Sequence, residues 1–142
     1  MPARVDPYGN FNFRVEIDGV SFAGFAECTG LSSSVDVIEY REGGDQTIRK
    51  LPGLRKFSDI TLKRGITGSN ELQSWHANVL NGIPDRRNGA VILLDDAMQP
   101  VVRWKFFNAF PRKWEGPDLN AKGNDVAIET LTLSCERLER ES

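Results

Sequence analysis

Apolar and polar residues alternate through residues 11–17, where Phe11, Phe13, Val15 and Ile17 share one parity and Asn12, Arg14 and Glu16 the other. Such period-two alternation predicts a strand with one face in a core and one in water. Asp18-Gly19 follows at once, a pair that favours a tight hairpin because both central residues of the turn need positive φ. A return strand over residues 20–28 is expected to pair with the first. Residues 35–40 and 57–63 are the next strand candidates; in the second, Ile60 and Leu62 oppose Asp59, Thr61 and Lys63. Residues 90–94 are almost continuously apolar, which suits a strand covered on both faces. Residues 101–107 alternate again, Val102, Trp104 and Phe106 against Arg103 and Lys105, after turn chemistry in residues 95–100. The last predicted strand, 126–136, changes phase: Val126 and Ile128 share one parity, Leu131, Leu133 and Cys135 the other. A bulge near Glu129-Thr130 would reconcile the two.

One segment, residues 69–81, reads as helix. Ser69 is placed to cap it, Glu71 suits the positive end of the dipole, and Leu72, Trp75, Val79 and Leu80 recur at helical spacing. Asn81-Gly82 and then Pro84 end it. The expected fold is mainly β: one domain over residues 1–142, an antiparallel barrel or sandwich with one flanking helix, preceded by an N-terminal arm at 1–10.

At 142 residues the chain suffices for one core, burying roughly 70% of the surface its unfolded form exposes. Eighteen basic against twenty acidic residues give a net charge of -2, against a dedicated nucleic-acid binder. The opening MPARVDPYGN lacks the apolar run of a signal peptide, and no later stretch reaches membrane-spanning length. Synthesis in the cytoplasm without stable membrane insertion is expected.

Catalytic and cofactor patterns are missing from the sequence. Neither GxxxxGK[ST] nor GxGxxG occurs, and Gly43-Gly44 has no lysine-hydroxyl sequel. His76 is the single histidine, too few for a histidine metal site, and Cys28 and Cys135 are far apart, without CxxC spacing. They are read as small buried hydrophobes. Asp95 and Asp96 are adjacent and so would not converge from a strand. Trp75, Trp104 and Trp114 suit packing better than a base-stacking platform. No catalytic residue, metal or cofactor is expected; an assembler or binder is.

The stretch EYREGGDQTIRKLPGLRK, residues 39–56, fits none of these elements. It is too long for a tight turn, and Arg49, Lys50, Arg55 and Lys56 follow Asp45 without another acid. Gly43, Gly44 and Gly53 offer hinges, Pro52 stiffness, and Ile48, Leu51 and Leu54 apolar anchors. Read as an extended loop over 41–56, it is either a loose surface loop or an arm that reaches a neighbouring copy. An open sheet in a domain this size leaves unpaired edges, which a closed ring of subunits would satisfy. Arg41, Glu42 and Asp45, at the arm's start, join the expected contact set with its basic groups, giving register more than affinity.

The blocks NFRVEIDG (12–19), GFAECTGL (24–31), VIEYREGGD (37–45), RKLPGLRKFSDITLKRG (49–65), RRNGAVILLD (86–95) and KWEGPDLNAKGNDVAIETLTL (113–133) give the chain a resemblance to the tail tube, or inner tube, proteins of contractile phage tails and contractile injection systems. The resemblance implies a barrel-like subunit that joins hexameric rings into one continuous barrel. The rings would stack into a hollow tube inside a contractile sheath, with baseplate, spike and tube-terminator proteins as partners. It also implies that 41–56 reaches the adjacent ring, and that the lumen passes effector proteins, or DNA in a phage. A baseplate tube initiator and a monomeric binding module gripping an acidic ligand with the basic arm are the alternatives.

Overall fold

The computed structural model describes residues 6–22, 25–44 and 46–141. The predicted first hairpin is present. Strand β1 (Phe13–Ile17) turns through Asp18 and Gly19, at φ 52° and 79°, into β2 (Val20–Phe22). The return strand is shorter than expected, however. Phe25–Thr29 forms a separate strand, β3, which pairs with β6 (Ile60–Gly65) and not with β1. A bulge at its start, between Phe25 and Glu27, accompanies that change of partner.

Strands β4 (Ser33–Tyr40) and β5 (Arg49–Phe57) form their own two-stranded sheet. All other strands join one sheet, together with β7 (Arg87–Leu94), β8 (Pro100–Glu115), β9 (Ile128–Ser134) and β10 (Arg137–Glu141). Its order is β2-β1-β7-β8-β9-β6-β3, with β10 also on β8, and every pairing is antiparallel. Strand β8 makes this possible by running through two layers. Its first half pairs with β7 and β10, its second half, from Phe110, with β9. Between them Asn108 adopts φ 52°, a conformation asparagine tolerates better than most residues. Its amide is met by Asn88 Oδ1 at 2.9 Å, and its side-chain nitrogen donates to Glu136 Oε2 at 3.0 Å. The predicted strand end at 107 is therefore a corner.

The two layers enclose Val15, Ile17, Ile60, Leu62, Val91, Phe106, Leu131 and Leu133. Helix α1 (Glu71–Leu80) adds Leu72 and Trp75 to this core. Its preceding residue is Asn70, without a side-chain cap, where Ser69 was expected, and Leu80 is exposed. Trp75 Nε1 donates to the Asp85 carbonyl at 2.8 Å, and Arg87 lies over the indole at 4.8 Å while donating to both Asp85 carboxylate oxygens. The half-buried His76 meets the Pro111 carbonyl through Nδ1 at 2.9 Å. Strand β7 is buried on both faces as expected: Val91 joins the main core, while Ala90, Ile92 and Leu94 form a second cluster. Arg14 and Glu16 of β1 and Arg103 and Lys105 of β8 flank that cluster in register, and their stems shield it.

No bulge occurs at Glu129-Thr130. Strands β6 and β9 stay in register from Ile60↔Leu133 to Gly65↔Ile128. Glu129 takes the inward parity with Leu131 and Leu133, and Arg64 of β6 takes the same parity with Ile60 and Leu62. The two form a buried ion pair, and Trp114 Nε1 donates to the second Glu129 oxygen at 3.0 Å. The apparent phase change arises from a charge standing in a core position.

Candidate functional site

The second half of the expected loop at 41–56 is strand. Residues Arg49–Phe57 form β5, in register with β4 through Tyr40↔Arg49, Glu39↔Lys50, Ile38↔Leu51 and Val37↔Pro52. The connecting residues include Arg41, Glu42, Gly43, Gly44 and Ile48, all exposed, with Gly44 at φ 91° turning the tip. Asp45 lies outside the described residues. Gly53 is therefore not a hinge. Register passes from Val35↔Arg55 to Val37↔Pro52, so Gly53 and Leu54 together oppose Asp36 in a bulge. A side chain at Gly53 would meet Ile38 and the Asp36 carbonyl at 3.0–3.1 Å, and the bulge leaves Leu54 74% exposed.

Cross-strand partners share a face. One face of the hairpin presents Val35, Val37 and Pro52 with Glu39, Lys50 and Arg55; the other presents Ile38, Leu51 and Tyr40 with Arg49, Asp36 and Lys56. Lys56 and Asp36 form an ion pair at 3.2 Å. Both faces are apolar and basic, and Val35, Val37, Ile38, Tyr40, Ile48, Leu51 and Leu54 are all exposed. At the tip, Tyr40, Thr47, Ile48, Arg49 and Leu51 line an open cleft of about 500 Å³.

The hairpin's base is fixed more firmly than its blades. Ser58 N donates to the Ser32 carbonyl at 3.2 Å, and the two hydroxyls are 2.6 Å apart. Gly30, at φ 93°, passes so close to β6 that a Cβ there would lie 1.8 Å from the Asp59 carbonyl oxygen. This is the glycine that positions the arm, and sequence reading missed it in favour of Gly43, Gly44 and Gly53. Its signal was the Thr29-Gly30 break just before the alternating run from residue 33.

Among the described residues no group of three His, Cys, Asp or Glu side chains is placed to hold a metal. Burial pushes the Cys28 thiol up to about 11, and burial followed by the nearby Asp59 charge raises Cys135, so both are poor nucleophiles. No helix among the described residues is long and apolar enough to cross a membrane. Among the described residues the geometry offers strand surface for contact: edges of the main sheet at β2, β3 and β10, and a hairpin with two uncovered faces.

A sequence model of T4-like virus tail tube protein gp19 matches residues 9–139. No curated protein sequence matches significantly. Among solved structures, a chain of the extended sheath-tube complex of an extracellular contractile injection system, PVC, is 30% identical; the match covers 96% of this chain and 92% of that one, at a TM-score of 0.84. A chain from the sheath/tube terminator of the same system is 29% identical, covering 99% and 100%, at 0.86. A chain of the anti-feeding prophage baseplate, 6-fold symmetrised, is 26% identical, covering 97% of each, at 0.85.

Proposed function

This chain belongs to the T4-like virus tail tube protein family, and on that footing we propose that it is the inner-tube subunit of a contractile injection system. Copies join edge to edge into rings of six, and the rings stack into a hollow conduit for protein effectors within a contractile sheath. The observation that carries this reading is the β4-β5 hairpin, which pairs with no other strand among the described residues and exposes apolar residues on both faces. Two strands alone are marginal in water. A ring-to-ring clamp supplies the missing partner, with residues 41–56 as its contact segment. Near end-to-end likeness to chains of the PVC complexes favours an injection system. The family model's viral description favours a virus tail tube passing DNA as the second reading. Sheath, baseplate and terminator proteins are the further partners in either case, and the assembled particle is the protein's destination.

Because Val35 and Arg55 face each other, residues 36–54 can be replaced by Asn-Gly, which closes a two-residue hairpin. The shortened chain is expected to keep the near-ultraviolet circular dichroism of its tryptophans and form single rings by negative-stain microscopy, with no tubes. Tubes of normal length from that variant would exclude the clamp.

A further inference from the structure

We propose that the β4-β5 hairpin of one copy docks on the loop at residues 116–127 of a copy in the next ring. This rests on the tube reading above and names the surface that the hairpin grips.

The placement comes from strand β6. Its first residue, Ile60, lies at the end of the sheet where Ser32 and Ser58 anchor the hairpin. Its last residue, Gly65, pairs with Ile128, where the 116–127 loop enters β9. Six residues of strand put these features roughly 20 Å apart, at opposite ends of one sheet. Identical subunits repeating along an axis bring one end of each copy against the other end of the next, a heterologous contact. A projection at one end then finds its acceptor at the other.

The loop has the complementary properties. Leu119 is 86% exposed and Val126 75%, more than the apolar side chains of the hairpin itself. Lys122 N donates to Asn120 Oδ1 and Gly123 N to the Asn120 carbonyl, both at 3.0 Å, which fixes the turn beside Leu119. Charge follows suit. Strand β5 carries Arg49, Lys50, Arg55 and Lys56 without an acid, whereas the loop at 116–127 carries Asp118 and Asp125 against Lys122 alone. Arg55, Asp118 and Asp125 are exposed and have no ion-pair partner among the described residues. Leu54 beside Arg55 thus matches Leu119 beside Asp118, apolar contact with charges setting register.

Replacing Leu119 by the photo-crosslinker p-benzoylphenylalanine tests this directly, since its exposure makes the fold indifferent to the change. In sedimented tubes, irradiation is expected to join position 119 to a peptide from residues 35–57, and unstacked rings are expected to lack that product. In parallel, Leu119→Asp is expected to leave rings intact and cut the pelleted tube fraction roughly tenfold or more, the effect of losing one well-buried leucine contact. Crosslinks to another segment in tubes, or the same crosslink already present in unstacked rings, would overturn the docking while leaving the tube reading standing. A wild-type chain that forms neither rings nor tubes would overturn both.

Discussion

Glu129 stands where a leucine would be expected, on the inward parity of β9 between Ile128 and Thr130 and next but one to Leu131. Its side chain is almost wholly buried, as is that of Arg64, and Phe25 and Trp114 close over the pair. A buried pair adds little over an apolar replacement, but breaking it strands one charge in the core. Glu129→Ala is therefore expected to cost about 3–5 kcal/mol, read as a drop in the urea midpoint. Joint replacement by Arg64→Met and Glu129→Leu is expected to recover much of that loss. Equal losses in the single and double variants would show that Glu129 packs without depending on Arg64. The sequence held this information in a form that single-strand reading discards. Glu129 alone looked like a change of phase; Arg64 on the Ile60/Leu62 parity, opposite in charge, was the sign of a pair, visible only once β6 and β9 are neighbours.

At the scale of elements, local patterns identified most strands but, beyond the first hairpin, few of their partners. The β1-β2 turn was legible because Asp18-Gly19 carries its own conformational demand. The β4-β5 hairpin was not: a proline, a glycine and four basic residues depress strand propensity, and only pairing with β4 reveals the alternation in β5. The corner at Asn108 likewise hid half of β8, and β10 went unrecognised because its charged sequence suits an edge. Helix α1 was found, and what docks it was not. Trp75, Asn78, Asp85 and Arg87 form that dock, and the hydrogen bond from Arg87, with help from Asn78, holds the Asp85 carboxyl below its ordinary value of 3.8. A depressed folded value gives stability that is present above 3.8 and lost as pH falls through the lower folded value. Acid is expected to loosen the helix in that window, read as loss of near-ultraviolet dichroism from Trp75. Asp85→Asn is expected to remove that acid step, and an unchanged profile in the variant would place the step on another carboxyl.

For the whole molecule, the division of labour between sheet and hairpin sets how stability must be distributed. The main sheet packs on a core of large buried side chains, so the amides of its central strands β7 and β9 open only with global unfolding. The hairpin has a fixed base and blades whose side chains are almost all exposed, so its amides open locally at little cost. Under the proposed docking, stacking would change the second population and not the first, because it would cover the blades and leave the core as it was. Hydrogen exchange is therefore expected to be fast across residues 35–55 in dilute, unassembled protein while β7 and β9 stay protected. In assembled tubes the hairpin's protection is expected to rise by roughly a hundredfold or more, as burial of its apolar faces adds a few kcal/mol to the cost of opening. Protection of the hairpin already at full strength in the dilute chain would mean that a single copy completes its own fold, and the physical reason for stacking through this element would be gone.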